Sequence, residues 1–324
     1  MNLMCLDKEV NDIINDEELR QRTTLRMIAS ESIPSESVRY TLASCFTSKY
    51  AEGYPGKRYY QGQENTNKIE RLCIERAKKV FKLPYNWHVN CQAYSGSPAN
   101  LAVYFALCNT GDKVIGLGLN SGGHLSHGHK VNLSGKLFEV HQFDVDKDTE
   151  LINYDKLEQF AIATKPKMMI IGTTAYSRVL DWSRIREIAD KAECYFVADI
   201  AHVAGLIAAG EYPSPIGIAD VVTLTTHKTL RGARGALIFC NNDLAQKIDR
   251  SIFPGGMQGG PHMNNIAGIA VALGEAMTPE FKQYAWQVIK NSKVLADTLS
   301  NVYGFRIVSG GTDSHLMVVD NSSK

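Results

Sequence analysis

The sequence lacks most of the features that would point away from an ordinary globular protein. It has no charge excess: 35 Lys and Arg stand against 34 Asp and Glu, a net of +1. No global field therefore draws it to nucleic acid or to an anionic membrane. No apolar run approaches the ~20 residues that cross a bilayer. The acidic start MNLMCLDKEVNDIINDEEL lacks the basic-then-apolar layout of a secretion signal. Seven cysteines (Cys5, Cys45, Cys73, Cys91, Cys108, Cys194, Cys240) contain no C-x-x-C pair and are odd in number. They read as reduced, buried thiols in a cytoplasmic chain. There is no internal repeat and no low-complexity tract.

What remains is a chain of 324 residues, 44% hydrophobic, enough for one large domain and part of another. Residues 7–28 read as a polar amphipathic helix, and 35–46 as a second. Over 67–81 the string IERLCIERAKKVF places Ile69, Leu72, Cys73, Ala77 and Val80 on one helical face. Short apolar strands then alternate with helices. The strands fall at 113–117, 168–172, 195–199, 221–225 and 236–239, the helices at 99–108, 154–164 and 182–191. Continuously apolar strands between helices predict an α/β fold with a mostly parallel sheet covered on both faces. A helix over 280–299 and a strand near 305–308 open a smaller α+β unit. The expected division is an N-terminal arm (1–48), a large domain (49–278) and the start of a small one (279–324).

In a parallel sheet, ligands bind beyond the carboxyl ends of the strands. After YFVAD come Asp199 and, three residues later, His202. After VVTLTT come His227 and Lys228. Ser95-Gly96-Ser97-Pro98 ahead of an apolar helix, with proline at its first position, builds an N-terminus whose free N–H groups suit phosphate or serve as a plain helix cap. An ionised aspartate at a buried strand end needs a partner. Lys228 offers two solutions. One is a simple ion pair. The other is a cofactor that needs an amine for its aldehyde, a carboxylate for its ring nitrogen and a helix end for its phosphate, as pyridoxal phosphate does. The crowded His124, His127 and His129 have no acidic or cysteine partner nearby, so no metal site is expected. GLGLNSGG lacks the third glycine of a dinucleotide fingerprint.

These residues resemble the serine hydroxymethyltransferase family. The shared strings are IASES (28–32), KYAEGYPGKRYY (49–60), SGSPAN (95–100), GGHLSHG (122–128), AYS (175–177), ADIAHVAGL (198–206), TTHKTLRGARG (225–235), FPGGMQGGP (253–261) and VSGGTDSHL (308–316). The resemblance implies the aspartate-aminotransferase-like fold (type I of the pyridoxal phosphate enzymes). It also implies transfer of the serine hydroxymethyl carbon to tetrahydrofolate. By resemblance, Lys228 anchors pyridoxal phosphate, with His227 beside it, and Asp199 pairs with the ring nitrogen. His124 stacks on the ring, His202 lies near its 3′-oxygen, and Thr174 stands where the family commonly has serine. Ser95, Gly96 and Ser97 cradle the phosphate, and Arg234 helps orient the site. The 49–60 loop crosses a dimer interface in the family. It would bring Tyr50, Tyr59 and Tyr60 to a partner's cofactor and amino acid, with Glu52 as the acid–base group. That role needs a carboxyl pKa near working pH. Gly259 and Gly260 complete a partner's phosphate site. Ser30 contacts the substrate carboxylate, and Leu119, Gly123 and Leu125 wall the folate.

The implied assembly is a homodimer or homotetramer acting on serine, glycine and tetrahydrofolate, with no nucleic acid or membrane partner. Ala93, Tyr94, Ser121 and Ala233 depart from the family's usual residues. The family's chains are also longer, and the part beyond 324 carries the arginine that clamps the substrate carboxylate. A truncated and catalytically impaired homologue is thus one alternative. A folate-independent 3-hydroxy amino acid aldolase is another, which the Tyr50–Tyr60 loop argues against.

Overall fold

The apolar runs read from the sequence lie side by side in one sheet. The computed structural model describes residues 7–322. A small hairpin of β1 (Gly53–Tyr54) and β2 (Lys57–Arg58) precedes the sheet. The sheet strands are β3 (Trp87–Asn90), β4 (Lys113–Leu117), β5 (Glu139–Phe143), β6 (Met168–Gly172), β7 (Tyr195–Asp199), β8 (Val221–Thr225) and β9 (Ala236–Asn241). They run in the order β3-β9-β8-β7-β6-β4-β5. The pairings from β5 across to β8 are parallel, and β9 pairs antiparallel with both β8 and β3. Two antiparallel steps separate β3 from β8, so these strands point the same way. The carboxyl ends of β3, β4, β6, β7 and β8 therefore share one edge of the sheet. The strand order reverses between β4 and β6, which opens a crevice there.

Helices cover both faces. On one face lie α3 (Glu64–Val80), α6 (Tyr154–Thr164), α7 (Trp182–Lys191), α8 (Ala204–Ala209) and α10 (Met263–Glu275); on the other lie α4 (Gly96–Leu107) and α9 (Asn242–Ile252). The strands alternate between the two. Met169 and Ile171 of β6 enter the first apolar cluster, while Met168 and Ile170 enter the second. Burial on both faces is why these strands carry no polar alternation. Truncating one of them, as in Ile170→Ala, costs about 2–5 kcal/mol. A short helix, α5 (Leu133–Leu137), precedes β5.

Several expectations are corrected. The first helix, α1 (Lys8–Thr23), begins at an Asp7 side-chain cap and stops short of 28. Thr23 and Thr24 turn their hydroxyls back onto the carbonyls of Leu19 and Arg20, and Thr24 is extended. The second, α2 (Glu36–Leu42), is capped by Ser35 and gives way to a 3-10 turn at Cys45–Ser48. In α3 the buried line is Thr66, Glu70, Cys73, Ala77 and Val80, and Leu72 faces outward. Glu70 takes the inner position because buried Arg58 and Gln92 hold it there. The helix α4 begins at Gly96, so Pro98 sits third in its first turn instead of first. β3 and β5 were not expected as strands: β3 is short, and β5 is a polar edge strand. The final α11 (Pro279–Asn301) feeds Phe281 and Ala285 into the first apolar cluster, and β10 (Arg306–Ile307) pairs antiparallel with β11 (Val319–Asp320). The six described cysteines are free and all but Cys45 are buried; Cys5 lies outside the described residues.

Candidate active site

The loops at the shared edge of the sheet enclose a cavity of about 230 Å³. Its walls are Ser95, Gly96, Ser97 and Asn100 at the start of α4, with His124 and His127 after β4. Thr173 and Thr174 follow from β6, and Asp199 and His202 from β7. The last wall is Thr225, His227 and Lys228 at the end of β8, together with Arg234. A wider outer cavity of about 580 Å³ shares His124, Thr174, His202, His227, Lys228 and Arg234, and adds Arg26 and Ser30. The fold thus brings most of the sequence-predicted residues to one place.

Asp199 is the electrostatic centre of this cavity. Its Oδ2 accepts from Asn100 Nδ2 at 2.8 Å and from His127 Nε2 at 3.0 Å, and its Oδ1 accepts from the Ala201 N–H at 2.9 Å. The His127 tautomer follows from the other side of the ring. There the His124 N–H donates to His127 Nδ1 at 3.2 Å, which leaves the ring proton on Nε2, facing the carboxylate. Asn100 is oriented in turn by Thr223, whose hydroxyl donates to Asn100 Oδ1 at 2.7 Å. Burial pushes the Asp199 pKa up. His127, Asn100 and the charge of Lys228 more than offset this and hold it well below the usual carboxylate range. Asp199 is therefore a fixed anion, with an Oδ1 lone pair left for a donor in the cavity.

Lys228 is not the partner that a simple ion pair would require. Among the described residues its amine makes no hydrogen bond and no ion pair, which overturns that alternative. Burial lowers its pKa, against the pull of Asp199 and with help from Arg234. A half-buried amine shifted toward neutrality is a competent nucleophile for an aldehyde. The histidines around it are also kept neutral. Burial, then Arg234 and Lys228, bring His227 down to about 4, and burial likewise lowers His124.

The opposite end of the cavity suits an anion. Ser95 is extended and gives α4 no side-chain cap, so the first N–H groups of α4 remain available beside Gly96 and Ser97. Gly96 is required there, because a Cβ at that position would lie 2.7 Å from Thr225 Cγ2. An amine, a fixed carboxylate and a helix N-terminus around one cavity fit pyridoxal phosphate.

A second group of predicted residues lies elsewhere. Tyr60 Oη donates to Glu52 Oε2 at 2.6 Å, and Tyr50 meets Tyr60 edge-on at 5.9 Å. Gly259 and Gly260 face this pair: a Cβ on Gly260 would lie 3.1 Å from Tyr50 Cε1, and one on Gly259 would lie 3.6 Å from Glu52 Oε1. Tyr59 packs edge-on against Phe253 at 5.6 Å. Tyr50, Glu52, Tyr60, Gly259 and Gly260 do not line the Lys228 cavity. Beneath them the loop is pinned. Arg58 Nη1 donates to the carbonyls of Ala51 and Gly53, both at 2.7 Å, and its Nη2 is paired with buried Glu70. Gln92 Nε2 donates to Gly53 at 3.0 Å and to Glu70 at 2.8 Å. Leu119 and Leu125 stand exposed on 3-10 turns, and Gly123 is wedged against the Leu117 carbonyl, which a Cβ would approach to 2.0 Å.

Sequence reasoning missed Asn100, His127 and Arg26. GGHLSHGHK did contain a signal for His127, since its spacing from His124 sets the two rings in a T-shaped contact 5.8 Å apart. Nothing in the sequence tied Asn100 to Asp199.

The family model for serine hydroxymethyltransferase matches residues 3–324. Serine hydroxymethyltransferase of Lactobacillus johnsonii is 52% identical over 310 residues, which cover 95% of this chain and 74% of that protein. The protein of the same name from Halorubrum lacusprofundi is 50% identical over 315 residues, 97% of this chain and 75% of that protein. With its strand-end lysine, aspartate and helix N-terminus gathered at one cavity, the chain belongs to the serine hydroxymethyltransferase family.

Proposed function

We infer that this chain catalyses the reversible transfer of the hydroxymethyl carbon of serine to tetrahydrofolate, giving glycine and 5,10-methylenetetrahydrofolate, with pyridoxal phosphate as cofactor. The observation that carries the reading is Lys228: a half-buried amine of lowered pKa, without a hydrogen-bond or ion-pair partner among the described residues, across one cavity from a fixed carboxylate.

When bound, the cofactor supplies an electron sink for the carbon left as the serine Cα–Cβ bond breaks. The chain's own residues supply the rest. The start of α4 at Ser95, Gly96 and Ser97 binds the phosphate. Asp199, anionic and held by Asn100 and His127, keeps a proton on the ring nitrogen. His124, Thr174, His202 and His227, which line the same cavity, would enclose the ring. Lys228, with its amine shifted toward neutrality, would hold the aldehyde end of the cofactor. Ser30 and Arg234, on the outer cavity, receive the substrate carboxylate. Leu119, Gly123 and Leu125 present the wall for the folate.

Glu52 moves the proton of the serine hydroxyl, with Tyr60 hydrogen-bonded to it. We assign this service to a second copy of the chain: Tyr50, Glu52, Tyr59, Tyr60, Gly259 and Gly260 reach the partner's cavity in a homodimer, alone or paired into a tetramer. Exposed apolar side chains on the N-terminal arm support such an interface, among them Leu25, Met27, Ile28 and Tyr40. We place the arm and domain boundaries at 48 and 278. The free thiols fit a reducing compartment, and we assign the chain to the cytoplasm. Among the described residues no helix is long and apolar enough to cross a membrane.

A visible spectrum of the protein loaded with pyridoxal phosphate tests the reading. Glycine followed by tetrahydrofolate is expected to produce a new long-wavelength band. A spectrum indifferent to both additions would sink it.

A further inference from the structure

One imidazole beside the cavity has no task in that chemistry. His315, on the segment after β10, lies against His202: the ring centroids are 5.6 Å apart, the planes 29° from parallel, and His202 Nδ1 is 3.4 Å from His315 Nε2. The other nitrogen of His315, Nδ1, is buried and has no partner. His202 Nε2 makes no hydrogen bond among the described residues, and His202 lines both the inner and the outer cavity.

The segment that delivers His315 is firmly held. The Asp313 N–H donates to the Ser177 carbonyl at 2.8 Å, and Ser177 Oγ donates to the Gly311 carbonyl at 2.8 Å. Arg178 pairs with Asp313 at 3.1 Å, and Thr312 Oγ1 bonds the Leu316 carbonyl. Ser177 and Arg178 belong to the loop after β6 that carries Thr174, so the contact between the two rings is built into the frame of the site.

One proton must lie between the facing nitrogens, and it has two origins. If His202 donated from Nδ1, His315 Nε2 would be bare and its own proton would sit on Nδ1, as a buried N–H with no acceptor. If His315 donates from Nε2, its buried Nδ1 is only a bare lone pair. An orphaned buried N–H is the rarer and costlier state, so the second arrangement wins. Both rings are neutral: burial and then the charge of Lys228 bring His315 down to about 4 and His202 to about 2. A doubly protonated ring is therefore not in play at neutral pH.

We propose that His315 is a positioning residue that fixes the His202 tautomer, donating from Nε2 to His202 Nδ1 so that His202 turns an Nε2–H donor toward the cavity. That donor suits an anionic oxygen on an aromatic ring, and its use for the cofactor's ring oxygen rests on the function proposed above. The other tautomer would present a lone pair to the same oxygen and repel it.

The test is long-range proton–nitrogen NMR of cofactor-free protein labelled with nitrogen-15 in histidine, with the His202 signals assigned from a His202→Asn spectrum. The expected result is the Nε2–H form of His202 in the wild type. In His315→Phe, which keeps a stacked ring without the donor, His202 is expected to pass to a mixture of tautomers. Pyridoxal phosphate affinity, from absorbance titration, should then weaken about two- to tenfold, the worth of one neutral hydrogen bond. His315→Gln, whose amide N–H reaches the same place, should restore both readouts.

An Nδ1–H form of His202 in the wild type overturns the proposal, and that measurement needs no variant to fold. So does an unchanged tautomer in His315→Phe, even with weaker cofactor binding, because His315 would then act only through packing. Failure of the wild type to bind pyridoxal phosphate would instead overturn the proposed function, leaving the tautomer result to stand by itself.

Discussion

The Lys228 cavity and the Tyr50–Glu52–Tyr60 cluster are built on opposite plans. The cavity is assembled inside one chain, from the ends of five strands, and its central carboxylate is satisfied on three sides by Asn100, His127 and the Ala201 N–H. The tyrosines of the cluster are exposed and meet one another, Glu52 and Phe253, and the cluster borders no part of that cavity. The difference separates what the sheet does from what a loop does. Strand ends create a fixed charged pocket, whereas the loop holds Glu52 and Tyr60 away from the pocket of its own sheet.

Mixing two inactive chains tests most directly whether the two regions meet across subunits. Lys228→Ala is expected to abolish the visible absorbance of bound cofactor and to drop turnover to the assay background. Glu52→Gln should keep cofactor absorbance and lower turnover by about 10²–10⁴-fold, the usual worth of a general acid–base group. If the cluster serves a partner's cavity, the mixed chains regain roughly a quarter of wild-type activity, since one site in each hybrid dimer is intact. No recovery after demonstrated subunit exchange would place Glu52 in its own chain's site.

A smaller effect is expected inside the cavity. Asn100→Ala removes one donor to the Asp199 carboxylate and should cost about 1.5–3 kcal/mol of stability, measured by urea unfolding of the cofactor-free protein. A loss below about 0.5 kcal/mol would mean that His127 and the backbone suffice.

Acid should also distinguish the two regions. His202 is buried and His227 and His315 are half-buried, and all three are neutral, with folded pKa values pushed below the ordinary 6.5, to about 2, 4 and 4. Between about pH 6.5 and 4 the unfolded chain binds more protons than the folded one, so stability falls as pH falls through that window. Thermal unfolding should show the loss, and replacing His227 and His315 by Gln should flatten it. Tyr60→Phe, at the exposed cluster, is expected to change stability by less than about 0.5 kcal/mol while lowering turnover.

Much of the cavity was legible because its chemistry falls at strand ends. Five strands, with Lys228, Asp199 and the Ser95–Ser97 turn beside them, could be placed from apolar runs and the polar residues just past each one. The illegible part depends on contacts between distant segments. Glu70 reads as a solvent-facing helix residue until Arg58 and Gln92 draw it inward, which turns Leu72 outward with it. Asn100 is one polar residue in an apolar helix, and only the fold puts it 2.8 Å from Asp199. β5, with its polar alternation at the sheet edge, offers no apolar run to read.

The pinning of the 49–60 loop has a consequence for assembly. Arg58, Glu70 and Gln92 clamp its backbone from inside the same chain, so in the proposed homodimer the segment would hold its shape before a second subunit arrives. Association then has little loop disorder to remove, and interface contacts are not consumed in ordering it. In the homodimer proposed above, weakening that clamp, for example with Glu70→Ala, would disturb the Glu52 that the altered chain lends to its partner's cavity and leave the altered chain's own Lys228 cavity untouched.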